Sequence, residues 1–388
     1  MILLYSSVGW PRDASDVCVR LLCAGSAYNN MTWKKRMLEK ADSIAKDEAL
    51  TTHSSVMLAL RKVKVYRLGG EFDRSSKALR DCQDLLNNNL TAASAYKRAQ
   101  SGLLAIHEAE RFVHLDNHKS AIECLQAFQG QTLAQSPFET MIRLRMWIME
   151  CRIRRYVDDL EGCEEKLRVS LDVISENQMF SGLQLETLQE LADLYVETKL
   201  EAVQNLKSEW PQHYRDSSRL QVADAESLLE LGELDLAEQR FQDLGRTLQD
   251  STKHFCLLRV NVGLARISHQ RCWDDPASSR KAGLQAWSKA LAILTDKFSA
   301  DGQGRTTAIV LLSSCDLASM QGEWVVAKET MNQVHHTQRH LKKMPDLQQS
   351  HSSQYWLPGL GSRFFDRVRT SLKGQGWDLE TLERRTPI

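Results

Sequence analysis

The sequence lacks an excess of either charge and is poor in the residues that interrupt helices. Its 50 lysines and arginines balance 50 aspartates and glutamates over 388 residues, and it contains only 7 prolines and 19 glycines. A neutral balance argues against a general binder of nucleic acid or of anionic membranes, because such proteins normally carry a basic surplus. The shortage of turn-forming residues disfavours β-sandwiches and barrels, which need many turns.

Long apolar runs and paired cysteine motifs are also missing. No stretch approaches the roughly 18 apolar residues that a membrane span needs. The nine cysteines are odd in number and widely spaced, and no CxxC pair occurs. A disulfide framework would be dense and even, so these cysteines indicate a reducing compartment. We therefore expect a protein of the cytoplasm or nucleus that does not bind membranes.

What the sequence does contain is helical periodicity along almost its whole length. Apolar residues at i, i+4, i+8 and i+11 share one helix face near the N-terminus: Trp33, Met37, Ala41 and Ile44. Ser136-Pro137-Phe138-Glu139 has the pattern of a capping box with proline at the first helical position. Alternation of period two is nearly absent, so the sequence predicts an all-α chain of a dozen or more helices.

Five short turns share one spacing pattern, and they occur at Gly70, Asp116, Asp158, Gly232 and Gly322. Five residues after each turn lies a small residue: Ser75, Ala121, Cys163, Ala237 and Ala327. Seven residues before each turn lie Val63, Ala109, Cys151, Ala225 and Cys315. Small residues at such positions let two antiparallel helices approach closely. Self-similarity at a period of roughly 35–45 residues predicts a series of about seven helical hairpins.

Two of these units resemble a known family in their letters. Leu231-Gly232-Glu233-Leu234-Asp235-Leu236-Ala237, followed by Phe241, resembles the turn and second helix of a tetratricopeptide repeat. The segment from Gln321-Gly322-Glu323-Trp324 through Ala327 and Met331 is similar. The resemblance covers most of residues 50–343 and implies an α-solenoid of antiparallel hairpins. It also implies protein–protein interaction, on the concave face formed by the first helices, and no catalysis.

The organisation of the chain follows from these patterns. Trp210-Pro211 interrupts a helix and marks an internal boundary. Residues 1–30 offer no polar cap, which leads to the hypothesis that the chain is, or descends from, part of a longer protein. We predict N-terminal helices, two sets of hairpins, and a linker with C-terminal capping helices, at 1–48, 49–209, 212–343 and 344–388 respectively.

The densest basic stretch supplies the first candidates for partner binding. Arg145, Arg152 and Arg155 fall near one helical face, at i, i+7 and i+10. They could bind an acidic partner or a phosphate. Alternatively, they form a solvated charge network with three acidic residues of the following helix, Glu161, Glu164 and Glu165. We favour this second interpretation.

The C-terminal segment supplies the second set of candidates. Trp356 lies in an aromatic loop, and a short helix around 362–373 carries Phe364 and Phe365 on its apolar side. Such a helix could dock into a groove of a partner. Alternatively, it folds back to cap the last hairpin, which we favour because an unpaired apolar stripe on a monomer is a liability.

A rival interpretation is an enzyme that acts on a diphosphate with magnesium. Asp274-Asp275 begins a segment similar to the second metal motif of class I terpene cyclases, and Asp158-Asp159 would have to be the first. Carboxylates expected in both motifs are missing, at Gly162 and Ala282, and magnesium needs its ligands pre-arranged. Helix-terminal and turn aspartates explain both pairs more simply.

The sequence therefore favours a non-catalytic scaffold, adaptor or regulatory subunit, with one or more proteins or peptides as partners. We expect no catalytic residue, no metal, no cofactor and no nucleic-acid partner. A regulatory module derived from a larger signalling protein remains a third interpretation. The pattern gives no oligomeric state.

Overall fold

A computed structural model of the chain describes most of it, and the described residues are helical apart from short turns. They are residues 31–47, 52–68, 71–88, 94–114, 117–129, 136–156, 159–198, 200–248, 254–275, 280–298, 305–343, 363–377 and 379. No strand occurs among these residues, and none of their helices combines the length and apolarity needed to cross a bilayer. The predicted all-α fold class is confirmed.

The chain divides into two compact units, Met1–Met149 and Glu150–Ile388, with the border inside one helix. The first unit contains α1 (Met31–Asp47), α2 (Thr52–Leu68), α3 (Phe72–Asn88), α4 (Ser94–His114), α5 (His118–Gln129) and the first part of α6 (Pro137–Tyr156). The second contains the rest of α6, then α7 (Cys163–Glu176), α8 (Ser181–Thr198), α9 (Leu200–Glu209), α10 (Ser218–Glu230), α11 (Leu234–Leu248), α12 (His254–Asp274), α13 (Arg280–Ile293), α14 (Arg305–Met320), α15 (Trp324–Lys343) and α16 (Arg363–Gly374).

Within the described residues, the helices that flank four of the predicted turns pack as hairpins: α2 with α3, α4 with α5, α10 with α11, and α14 with α15. A contact between Cys151 and Cys163 joins α6 to α7. The residues that the sequence analysis placed at fixed offsets from each turn lie where the two helices of a hairpin are in contact. All ten are fully buried: Val63, Ser75, Ala109, Ala121, Cys151, Cys163, Ala225, Ala237, Cys315 and Ala327. Three of them also form a polar contact across the hairpin. These contacts run from Ser75 Oγ to the Val63 carbonyl (3.0 Å), from Cys151 Sγ to that of Cys163 (3.6 Å) and from Cys315 Sγ to that of Ala327 (3.4 Å).

The turns of these hairpins share one backbone hydrogen bond. In each case the backbone N–H of the residue after the predicted turn position donates to the carbonyl of the residue four positions before that turn position. The five bonds measure 2.8–3.0 Å and run from Glu71 to Tyr66, Asn117 to Phe112, Asp159 to Arg154, Glu233 to Leu228 and Glu323 to Ala318. Gly232 and Gly322 occupy the turn positions with φ of 85° and 76°, the left-handed conformation that closes a helix C-terminus. Gly70, Asp116 and Asp158 lie outside the described residues.

The capping box at the start of α6 is confirmed. The Ser136 N–H donates to Glu139 Oε2 at 3.0 Å, and the Glu139 N–H donates to Ser136 Oγ at 3.3 Å. Pro137 is the first residue of the helix. The two bonds satisfy donors that a helix start otherwise leaves without a partner.

Two segments that the sequence singled out lie inside the second unit. Trp210, at the predicted internal boundary, follows α9 and is buried. Helix α16 packs against α14 and places Phe364, Val368 and Leu372 in the hydrophobic core of that hairpin. This packing favours the capping role of the C-terminal helix over docking into a partner.

Close packing of α11 on α12 gives a first test. A Cβ at Gly263 would overlap the ring of the buried Phe241. We expect Gly263→Ala to lower the free energy of unfolding, because overpacking costs about 1–3 kcal/mol and outweighs the gain in helix propensity of about 1 kcal/mol. Gly245→Ala is the control: its Cβ would lie 3.5 Å from Val260 Cγ1, an ordinary contact, and should raise that free energy. Urea denaturation compares the two, and a loss for both variants would contradict this account.

Candidate functional site

A group of arginines and carboxylates runs across the first helices of successive hairpins in the second unit. We call it the arginine–carboxylate seam. It consists of Arg152 and Arg155 on α6, Glu186, Glu190, Asp193 and Glu197 on α8, Arg219 and Glu226 on α10, and Arg259 on α12. The spacing of the four acids on α8, i, i+4, i+7 and i+11, places them along one stripe of that helix.

Glu190 lies at the centre of the seam and is fully buried. Its Oε1 accepts hydrogen bonds from Arg152 Nη2 at 2.7 Å and from Arg219 Nη2 at 2.8 Å, and its Oε2 accepts one from Arg155 Nη1 at 2.8 Å. Burial alone would raise the pKa of Glu190, but these three guanidinium groups outweigh it and hold that pKa well below its ordinary value. The carboxylate is therefore charged across the physiological range.

Asp193 extends the seam toward the following helices. Its Oδ2 accepts from Arg219 Nε at 3.0 Å, and its Oδ1 accepts from Arg259 Nη2 at 2.8 Å. Arg259, which is fully buried, also donates from Nε to Glu226 Oε1 at 3.0 Å. Burial favours the neutral carboxyl of Asp193, but Arg219 and Arg259 lower its pKa below the ordinary value. Side chains from α8, α10 and α12 thus share one buried electrostatic network.

The partners of the basic stretch differ from those that the sequence predicted. Arg152 donates to Glu186 and Arg155 donates to Glu197, and both of these acids lie on α8. Glu161 and Glu165 are exposed, and Glu164 accepts a hydrogen bond from the Tyr195 hydroxyl at 2.8 Å. The predicted network was solvated and used the acids at the start of α7, whereas the network in the structure is largely buried and uses the acids of α8. The four-acid stripe of α8 was the signal in the sequence that could have indicated it.

The structure separates the predicted partner-binding residues by their exposure. Arg145 is exposed, and the side chain of Arg152 is 26% exposed. Arg155 is only 3% exposed because it lies between α6 and α8, beside Glu190 and Glu197. Arg155 is therefore part of the interior and not of a partner-binding surface.

The aromatic candidates are divided in the same way. Phe364 is 3% exposed, since it faces the core between α16 and α14, so it too offers no surface to a partner. Phe365 is half-buried against the same core. Trp356 lies outside the described residues.

Ion pairs also tie neighbouring first helices elsewhere in each unit. In the first unit, Arg67 of α2 pairs with Glu110 of α4, and Arg98 of α4 donates to Glu139 of α6 at 2.8 Å. In the second unit, Arg266 of α12 pairs with Glu230 of α10. The first helices thus carry most of the buried charge that the structure describes.

The described residues of the two acidic pairs in the enzyme hypothesis, Asp159, Asp274 and Asp275, lie at separate helix ends. Asp159, in the turn after α6, pairs with Arg154, and Asp158 lies outside the described residues. Asp274 and Asp275 are exposed at the end of α12, with Asp274 Oδ1 3.9 Å from Arg367. In the part of the chain that the structure describes, no three His, Cys, Asp or Glu side chains are grouped so that they could hold a metal ion.

A buried histidine under the C-terminal helix gives a pH test. His269 Nε2 lies 2.9 Å from Asp316 Oδ2, and both side chains are fully buried. Burial outweighs Asp316 and lowers the pKa of His269 below its ordinary 6.5, with a smaller contribution from Arg367. As the pH falls, His269 is therefore protonated in the unfolded chain before it is protonated in the folded chain. The stability that the neutral ring contributes is present above pH 6.5 and is lost as the pH falls toward the folded-state pKa.

We expect the free energy of unfolding to fall more between pH 7.5 and 5.5 in the wild type than in His269→Gln, by at most about 1.4 kcal/mol for one histidine. Urea denaturation at the two pH values measures this difference. Equal slopes in the wild type and His269→Gln would contradict the assignment.

Comparisons with known proteins support the fold. No family model matches the sequence, and no curated protein matches it. Among solved structures, the chain is similar to a Rap protein complexed with Competence and Sporulation Factor, with a TM-score of 0.55 and 9% sequence identity. The similarity covers 94% of this chain and 99% of that chain. The predicted tetratricopeptide-repeat-like fold, a helical-repeat solenoid, is confirmed. At this identity the similarity shows the fold alone.

Proposed function

We propose that this chain is a non-catalytic helical-repeat protein that binds one or more proteins or peptides, as a scaffold, an adaptor or a regulatory subunit. The observation that carries the proposal is the exposed edge of the arginine–carboxylate seam. The side chains of Arg152 and Glu186 are 26% and 44% exposed and lie 3.0 Å apart, beside the buried Glu190. Charges that are held in place before binding offer a partner polar contacts at a reduced ordering cost.

The fold and composition support the same proposal. Repeat proteins of this kind present extended surfaces for binding. The Rap protein of similar fold was crystallised with Competence and Sporulation Factor, which gives a precedent for a bound factor. The neutral charge balance favours a protein or peptide over nucleic acid or membrane as the partner. The seven described cysteines form no disulfide with one another, in keeping with the cytoplasm or nucleus as the compartment.

Affinity purification with quantitative mass spectrometry tests the proposal. The tagged full chain is the bait, and Glu186→Lys reverses one charge on α8, on a side chain that is 44% exposed. We expect the wild type to recover a stoichiometric protein partner and Glu186→Lys to recover at most about a tenth as much, because like charges across an interface disfavour binding. Arg80→Glu, an exposed reversal on α3, is the matched control and should retain the partner.

Two outcomes would count against the proposal. One is the recovery of no stoichiometric partner by the wild type under gentle conditions. The other is equal recovery by the wild type and Glu186→Lys, which would place the contact elsewhere than on the edge of the seam. Circular dichroism of each variant shows that the exposed substitutions leave the helices intact.

A further inference from the structure

A cleft of about 620 Å³ opens in the second unit between α9 and α11, with α10 as its floor. Its size lies within the range of roughly 300–1,000 Å³ that is typical of small-molecule sites. The residues that matter for the argument are Lys207, Trp210, Arg215, Asp224, Arg240 and Leu244. The cleft shares no residue with the arginine–carboxylate seam.

The acidic residues of the cleft already have cationic partners. Lys207 Nζ donates to Asp224 Oδ2 at 2.7 Å, and Gln204 Nε2 donates to Asp224 Oδ1 at 2.9 Å. Asp243, the other acid that lines the cleft, accepts from Arg246 at 3.1 Å. These carboxylates are therefore neutralised within the protein.

Two arginines of the cleft have no such compensation. Arg215 follows the short helical turn Gln212–Tyr214, and Arg240 lies in the middle of α11. Both side chains are exposed, and neither has a carboxylate partner among the described residues. A guanidinium presents its donors in a planar fork that fits a phosphate or a carboxylate. Trp210 and Leu244, both buried, supply an apolar wall beside them.

We infer that this cleft binds a small molecule that carries two negative charges on oxygen, as a phosphoryl group or as a pair of carboxylates. Two uncompensated guanidinium groups match a dianion in charge, and the lining gives such a ligand both charged and apolar contacts. The inference goes beyond the proposed function, because it concerns a different site and does not depend on a protein partner.

Isothermal titration calorimetry of the full chain at low ionic strength tests the inference, with inorganic phosphate and glutarate as separate probes. We expect saturable binding of at least one probe with one site per chain. Binding of phosphate alone identifies a phosphoryl ligand, binding of glutarate alone identifies a dicarboxylate, and binding of both shows that either group fits. Absence of binding by both probes would overturn the inference.

Variants show whether the cleft is the site. Replacing Arg215 and Arg240 together by glutamine should weaken binding by about tenfold or more, because each removes charge-assisted hydrogen bonds. Both residues are exposed, so the double variant should fold as the wild type does. Arg80→Gln makes the same kind of charge change on α3 and should alter the affinity by less than about twofold. Unchanged affinity in the double variant would overturn the inference.

Discussion

Glu190→Ala should destabilise the second unit by about 3–5 kcal/mol, because it leaves several buried or partly buried arginines without their shared carboxylate. Arg155 is 3% exposed, and Arg219 is 19% exposed at its side chain, so water cannot fully replace the lost partner. Urea denaturation followed by circular dichroism measures the loss as a lower transition midpoint. The loss should be confined to one transition if the two compact units unfold separately.

Glu186→Ala is the matched control, since it lies one helical turn earlier on α8 and also pairs with Arg152. Its side chain is 44% exposed, and an exposed ion pair contributes at most about 1 kcal/mol. Glu190→Gln separates charge from packing, because it keeps the volume and removes the charge. Equal losses for Glu186→Ala and Glu190→Ala would show that burial does not strengthen the seam. A small loss for Glu190→Gln would show that its charge contributes little.

Phe364→Ala should lower the free energy of unfolding of the second unit by about 3–5 kcal/mol, as truncation of a buried phenylalanine typically does. The Phe364 ring centroid lies 5.4 Å from those of His269 and Trp273 and 6.1 Å from that of Trp287. The guanidinium of Arg266 lies over the same ring at 5.0 Å. Urea denaturation measures the loss, and a red shift of tryptophan fluorescence should report the exposure of this cluster.

Phe365→Ala is the control for the cap, because it removes the same side chain from the adjacent, half-buried position. We expect it to cost less than half as much, since less apolar area returns to water. If α16 were instead a helix that docks into a partner, Phe364→Ala would leave the isolated chain as stable as the wild type. That result would overturn the capping role.

The hairpin framework could be predicted from the sequence because its signals are local. Cys151 and Cys163 were assigned to the helix contact by their spacing from one turn, and both are fully buried. The start of α7 differs from that of the other hairpin helices. It begins five residues after its turn position, at Cys163, and follows Gly162 in a left-handed conformation with φ of 70°. The other described hairpin helices of this set begin two residues after their turn position. A turn lengthened by glycine keeps the register, so the pattern predicted the contact but not the start of the helix.

The candidate site could be predicted only in part. The arginines of α6 were identified, but their partners are 34–42 residues away in sequence. The ion pair between Asp193 and Arg259 spans 66 residues. A charged side chain on a helix stripe looks the same in sequence whether it faces solvent or another helix. Burial of Arg155 was therefore not visible from its spacing.

The sequence by itself determined that this chain is helical, neutral, poor in turn residues and built from hairpins with small residues at fixed positions. Each of these properties depends on residues within one hairpin, where the helical period relates spacing to contact. The tertiary structure decided which charges are buried, which acids they pair with, and which face of the C-terminal helix is covered. Those outcomes depend on packing between hairpins, because only that packing removes water and makes a distant carboxylate the nearest partner of a guanidinium.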